Sequence, residues 1–236
     1  MSYQKKIIVF TISYRGDYMY SAIILGAGSG KRLNLGFNKV LFKLMDKEVI
    51  SYSIDYFKND MDCKEIILVV SDVDFRYMLD KYQNDVDSIV IGGEERQNSV
   101  YNALKKVKEK YVLIHDGARP FIPFEAVEEL KNSLPTHKSL TLAVRVKDTI
   151  KDVENGYVIS TLNRERLVNT QTPQAFHTKE ILSAHQLAIK DSYSATDDTM
   201  LLDKYYSIKT KVVNGDYRNV KLTTKDDLLF LEVIMK

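Results

Sequence analysis

Apolar residues along the chain follow two alternating rhythms. Short runs rich in β-branched residues recur at 22–25, 65–70, 88–91, 111–114 and 140–144. Each is too short for a stable helix and is bounded by polar or glycine-containing sequence, so each predicts a strand. Between them the period lengthens. Val100, Ala103, Leu104 and Val107 are spaced i, i+3, i+4 and i+7 with lysines on the opposite face, which predicts an amphipathic helix. Further helices are predicted over 49–57, 75–82 and 124–134. Alternation of this kind builds an α/β domain, with a mainly parallel sheet covered by helices.

The alternation breaks after Val146. Residues 149–153 and 157–162 are joined through Glu154-Asn155-Gly156, and Asn-Gly suits a tight turn with positive φ, so this segment predicts a β-hairpin arm at about 147–168. A hairpin of this size is marginal alone, and pairing with a second copy in a homodimer is the expected remedy. Helices return at 179–189 and 198–205, then a strand near Val212 and a last helix at 225–235, opened by Thr224 with Asp227 three residues on.

Composition narrows the possibilities. The 236 residues suffice for one sizeable domain. Thirty-four Lys and Arg against thirty-two Asp and Glu argue against a dedicated nucleic-acid or membrane surface. Cys63 is the single cysteine, which excludes an internal disulfide and a multi-cysteine metal site and points to the cytoplasm. The run Ile7 to Ile12 is too short for a signal peptide and no small-residue cleavage site follows it. Residues 1–18 are therefore expected to be an extension, consistent with translation beginning upstream of Met19, and 19–236 the domain.

The first strand runs into Gly26-Ala27-Gly28-Ser29-Gly30-Lys31-Arg32, followed by Lys39. Glycines let successive N–H groups approach a ligand, and Gly30, Lys31, Arg32 and Lys39 suit a polyphosphate cradle. A Walker loop is excluded: three residues rather than four separate Gly26 from Gly30-Lys31, and Arg32 stands where a hydroxyl is needed. A dinucleotide fingerprint is excluded too, since the acid after the second strand, Asp72, comes far too late. An ordinary strand-to-helix turn is the plain alternative, and three cations in one loop favour phosphate over it.

Two further loops sit at strand ends, where open α/β sheets bind ligands. In His115-Asp116-Gly117-Ala118-Arg119-Pro120, Asp116 suits magnesium and Arg119 a bidentate phosphate contact. The same residues also suit a plain loop in which Asp116 caps backbone N–H groups and pairs with Arg119, and His115 is expected to be packing. In Gly92-Gly93-Glu94-Glu95-Arg96-Gln97-Asn98-Ser99, Glu94 and Ser99 suit a base edge, or the acids merely complement a helix dipole. Val146-Lys147-Asp148-Thr149, Arg164-Glu165-Arg166, Gln171-Thr172-Pro173-Gln174, Thr196-Asp197-Asp198 and Asn219-Val220-Lys221 are polar where structure alone does not require it.

Together, in this order, these motifs closely resemble the 2-C-methyl-D-erythritol 4-phosphate cytidylyltransferase family, from about residue 20 to the C-terminus. The resemblance implies a single three-layer α/β/α nucleotidyltransferase domain, glycosyltransferase-A-like with a Rossmann-like, mainly parallel sheet and a protruding β-hairpin arm. It implies transfer of CMP from CTP to methylerythritol phosphate, with Mg2+ or another divalent cation as cofactor. Ala27, Gly28, Arg32 and Lys39 would then hold the triphosphate, with Arg32, Lys39 and Lys221 catalytic. Gly93, Glu94, Arg96 and Ser99 would recognise cytidine, Asp116 would position the metal, and Arg119, Thr149, Arg164 and Thr196 would shape the acceptor site. Ribitol-5-phosphate cytidylyltransferases share several motifs, but Gly117-Ala118 and Arg96-Gln97 look more like the methylerythritol branch. A catalytically inactive nucleotide-binding module is the alternative of another class, opposed by the joint presence of Arg32, Lys39, Asp116 and Lys221. Arg145 and Val168 stand where proline and tryptophan are common in the family. Asn38 stands where proline often precedes the lysine, and predicts a looser Lys39 turn, because asparagine does not fix φ.

Overall fold

The computed structural model describes residues 18–28 and 36–234. Its elements in chain order begin with β1 (Tyr20–Leu25), a small hairpin of β2 (Lys43–Leu44) and β3 (Lys47–Glu48), α1 (Val49–Asn59), β4 (Cys63–Val70), α2 (Phe75–Tyr82) and β5 (Ser88–Ile91). They continue with α3 (Arg96–Leu104), β6 (Tyr111–Asp116), α4 (Phe124–Ser133), β7 (Ser139–Arg145), β8 (Lys151–Glu154), β9 (Tyr157–Thr161) and β10 (Val168–His177). The chain closes with α5 (Thr178–Lys190), α6 (Asp198–Tyr206), β11 (Lys211–Asn214) and α7 (Lys225–Ile234). No helix among the described residues is long and apolar enough to cross a membrane.

Seven strands form one sheet in the order β11-β7-β10-β6-β1-β4-β5. Ladders β1–β4, β1–β6, β4–β5 and β7–β11 are parallel, and β10 alone runs antiparallel to its neighbours β6 and β7. Side-chain alternation divides the core in two. Ala22 and Ile24 of β1 and Leu113 of β6 face a cluster with Ile54 and Phe57 of α1, Val127 and Leu130 of α4 and Leu231 of α7. Ile23, Val112 and Ile114 face the other way, onto Val100 of α3, Ile181 of α5 and Leu201 of α6. This is the three-layer α/β/α arrangement, and each such fully buried aliphatic side chain contributes about 1.5–3 kcal/mol.

The sequence pattern does not reveal β10. Its residues Asn169 to Gln174 read as a polar loop, yet Gln171 to Phe176 are buried. Their side-chain amide nitrogens are satisfied from within: Gln174 Nε2 donates to Thr141 Oγ1 and Asp197 Oδ2, each at 3.2 Å, and Gln171 Nε2 to the Asp216 carbonyl at 2.8 Å. Pro173 donates no ladder hydrogen bond, and the β7 pairing slips between Gln171 and Gln174 around it. Helix α3 is also shorter than its apolar spacing suggests, ending at Leu104, while Val107 packs from the following turn.

The hairpin is as predicted. Among the described residues β8 and β9 pair only with each other, and Asn155 and Gly156 take φ of 50° and 85° at its tip. Every residue of both strands is exposed, including Tyr157, Val158 and Ile159.

Gly117 follows β6 and donates its N–H to the Leu25 carbonyl at 2.9 Å. A Cβ there would stand 2.2 Å from Ile50 Cδ1 and 3.0 Å from the Leu25 oxygen, whereas one at Gly28 would meet nothing within 4 Å among the described residues. Gly117→Ala is expected to destabilise the fold by about 1–3 kcal/mol in urea titrations, with Gly28→Ala within about 0.5 kcal/mol of wild type.

Candidate active site

The parallel strands β1 and β6 end side by side, with Leu25 opposite Asp116. Above them opens a cavity of about 400 Å³. Ala27 and Gly28 line it from the exit of β1, Lys39 and Val40 from a 3-10 turn (Lys39–Leu41), and Lys221 and Thr223 from the segment before α7. Gly93 and Glu94 complete it from the β5–α3 connection, with Arg96 and Ser99 from the first turn of α3. The structure thus gathers Ala27, Gly28, Lys39, Gly93, Glu94, Arg96, Ser99, Asp116 and Lys221 in one place. Gly30, Lys31 and Arg32 lie outside the described residues.

Asp116 is the electrostatic centre. Lys221 Nζ sits 2.7 Å from its Oδ2, Arg96 Nε 3.4 Å from Oδ1 and Arg119 Nε 3.9 Å from Oδ2. Burial alone would raise this carboxyl, but Arg96, Lys221 and Arg119 outweigh it and hold Asp116 well below the usual carboxylate range. Arg96 is shared: its guanidinium also donates to buried Asp198 at 2.7 Å, and Asp198 meets His185 Nε2 at 3.2 Å. Gln97 locks α3 to the loop before α6, donating to the Tyr193 carbonyl and accepting from Ala195 N–H, both at 2.9 Å.

The β5–α3 loop packs too closely for side chains. A Cβ on Gly92 would lie 2.8 Å from Ala27 Cβ, and one on Gly93 2.4 Å from Asn98 Cβ. The Ser99 hydroxyl accepts the Gly93 N–H at 3.0 Å, so it shapes the loop itself.

A cavity of this composition, with Lys39, Arg96 and Lys221 beside Asp116 and with Glu94 and Glu95 in its lining, at the carboxyl edge of a parallel sheet, suits a nucleotide. A family model described as IspD, 2-C-methyl-D-erythritol 4-phosphate cytidylyltransferase, matches residues 20–236. The chain belongs to the 2-C-methyl-D-erythritol 4-phosphate cytidylyltransferase family. It is accordingly a nucleotidyltransferase. The relative of that name from Geobacillus kaustophilus is 42% identical over 221 residues, covering 92% of this chain and 96% of its own. The one from Clostridioides difficile is 40% identical over 223 residues, covering 92% and 94%. A solved 4-diphosphocytidyl-2C-methyl-D-erythritol synthase from Anaerococcus prevotii superposes with a TM-score of 0.82 at 32% identity, covering 93% and 96% of the two chains.

Four residues expected at the acceptor side of a cytidylyltransferase stand outside the cavity lining. Arg119 turns its guanidinium to the Asn219 carbonyl at 2.6 Å, with Nε unbonded among the described residues. Arg164 donates to the Lys147 carbonyl at 3.2 Å, at the base of the arm. Thr149 is exposed beside it, and the Thr196 hydroxyl rests on Met200 Sδ at 3.0 Å.

One expectation is overturned. Asn38 does not loosen the Lys39 turn. It is buried, its Nδ2 donates to the Gly26 carbonyl at 2.6 Å and to Asp74 Oδ2 at 2.8 Å, and its Oδ1 accepts the Val40 N–H at 3.3 Å. The side chain supplies the restraint that the backbone ring of proline would have supplied.

Among the described residues, the acidic group with metal-ligand spacing is Asp60, Asp62 and Glu128. It lies at the opposite end of β1, where Asp60 accepts from Tyr20, and the Lys131 ammonium already occupies it at 2.5–3.1 Å. Asp116 is likewise paired, with Lys221 Nζ at 2.7 Å, but it borders the cavity. Magnesium commonly takes one or two protein carboxylates and completes its shell with phosphate oxygens and water.

His115 is packing, as expected. Its Nε2 meets the Arg119 carbonyl and its Nδ1 the Thr172 hydroxyl, both at 3.1 Å, and burial pushes its pKa down to about 4. Between that value and the ordinary one near 6.5 the unfolded chain binds the extra proton, so stability falls as pH falls through this window. Wild type should lose on the order of 2–3 kcal/mol from this source between about pH 6.5 and 4, and His115→Gln should lack that part of the slope in urea titrations.

Proposed function

We propose that the chain transfers CMP from CTP to 2-C-methyl-D-erythritol 4-phosphate, releasing pyrophosphate, with Arg32, Lys39 and Lys221 as its catalytic residues. The observation that carries the reading is the convergence of Lys39, Lys221 and Arg96 on a cavity floored by ionised Asp116.

The acceptor is a phosphate monoester, already anionic at neutral pH, so its oxygen attacks the α-phosphorus without a general base. A bond forms between that oxygen and the α-phosphorus while the α–β bridging bond breaks, and its electron pair leaves with pyrophosphate. The barrier is the approach of two anions. Backbone N–H groups of Ala27 and Gly28, with Gly30, Lys31, Arg32 and Lys39, hold the triphosphate in line, and the cations stabilise charge developing on the α-phosphoryl and bridging oxygens. Gly93, Glu94, Arg96 and Ser99 form the cytidine side. Arg119, Thr149, Arg164 and Thr196 contribute to the acceptor side.

Asp116 would hold Mg2+ or another divalent cation, which when bound supplies positive charge to the phosphate oxygens. Lys221, now 2.7 Å from the same carboxylate, is placed to exchange Asp116 for a phosphate.

The reading includes a homodimer through the arm at about 147–168. Exposed Tyr157, Val158 and Ile159 on a hairpin without a sheet partner support it. It also takes 19–236 as the catalytic domain, 1–18 as an extension and the cytoplasm as the compartment, the last on the single cysteine.

Pyrophosphate release from CTP and Mg2+ with either methylerythritol phosphate or ribitol 5-phosphate tests the reaction. Turnover with the first is expected, turnover with the second alone would reassign the acceptor, and none with either would favour a binding module. Lys39→Ala and Lys221→Ala should each lower kcat by about 10²–10³-fold at saturating CTP. Near-normal turnover of Lys39→Ala would remove it from the catalytic set. Ile159→Asp is expected to shift the protein to monomer in light scattering while leaving the monomer's thermal unfolding midpoint in place.

A further inference from the structure

Lys39 is mostly buried and sits on a turn of three residues, too short to fix its own position. Backbone bonds from Leu41 N–H to the Asn38 carbonyl and from Phe42 N–H to the Lys39 carbonyl close that turn, and the side chain immediately before it ties it to the segments around it. Asn38 is 6% exposed and uses its amide against three separate segments. Its Oδ1 takes the Val40 N–H, so the residues on both sides of Lys39 are restrained. Its Nδ2 reaches the Gly26 carbonyl at the exit of β1 and Asp74 Oδ2 in the β4–α2 turn. Asp74 is held in turn by the Ser71 hydroxyl at 2.6 Å.

The Gly26 contact reaches further than the turn. Gly26 N–H is bound to the Val69 carbonyl at 2.7 Å, and its C=O to Asn38 at 2.6 Å. A trans peptide is planar, so a fixed Gly26 carbonyl directs the Ala27 N–H to the opposite side, away from Asn38. Ala27 lines the same cavity as Lys39. One amide therefore sets both the direction of a cradle N–H and the root of the cationic side chain facing it.

We propose that Asn38 is a positioning residue for phosphoryl transfer, locking Lys39 and the Gly26–Ala27 peptide into one preorganised unit anchored on Asp74. The proposal rests on the cytidylyl-transfer reading. Preorganised charge needs no rearrangement as the transition state forms, so slackening this lock lowers kcat more than it weakens CTP binding. A residue that merely capped the turn would act on stability and independently of Lys39.

A double-mutant cycle separates the two. Asn38→Ala should lower kcat by about tenfold with less than about threefold change in the CTP KM, and the same substitution in a Lys39→Ala background should cost less than about twofold. Asn38→Asp, nearly the same shape, places an acceptor against the Gly26 carbonyl and Asp74 and should be at least as harmful as Asn38→Ala. Asp74→Ala removes one Nδ2 partner from a half-buried position and should give a smaller loss of the same kind, again absent without Lys39; it decides the matter should Asn38→Ala not fold. Unchanged kcat in Asp74→Ala and Asn38→Ala, or equal losses with and without Lys39, would overturn the positioning role. Inactive wild type with both acceptors would instead overturn the underlying reaction.

Discussion

A buried carboxylate surrounded by three cations organises the molecule. Asp116 is costly to ionise where it sits, and it stays ionised because Lys221, Arg96 and Arg119 approach it from three different segments. The dependence runs in both directions. Without the acid the three cations would repel one another, and without them the acid would be an uncompensated buried charge. The fold supplies what this arrangement needs: β1 and β6 in register, glycine where α1 presses on the turn after Asp116, and the Thr172 hydroxyl accepting the Asp116 N–H at 3.0 Å.

Much of this was legible because the chemistry uses distinctive residues next to strongly patterned elements. The strands β1, β4, β6 and β7 are mostly buried and read as apolar runs, as does the half-exposed edge strand β5, and the motifs at their ends needed only to be placed on one edge of the sheet. Asp116, Arg96, Lys39 and Lys221 converge as the family resemblance implied. The hairpin was legible from Asn155-Gly156 alone, whose backbone angles admit few other residues.

What escaped the sequence did so for a physical reason. Strand β10 is polar because its side chains bond to neighbours remote in sequence, and no local period records a partner such as Asp216 or Asp197. Asn38 misled for the same reason. Considered alone it lacks the rigidity of proline, and only the positions of Gly26 and Asp74 reveal that its amide restores it. Arg119 was expected at the acceptor side, but its engagement with the Asn219 carbonyl depends on a contact 100 positions away.

Strand β10 also ties the segments around the site to one another. Thr172 Oγ1 accepts the Asp116 N–H on one side and its carbonyl accepts from Asn219 Nδ2 at 2.9 Å on the other, while Gln174 donates to the Asp197 cap of α6. Asn219 leads directly to Lys221, and Asp197 to Asp198 beneath Arg96. Neither segment can swing away without breaking hydrogen bonds to the middle of the sheet. Opening of the pocket on either side therefore costs hydrogen bonds to the same strand, so the two flanking segments are tethered through β10 rather than free to move as independent loops.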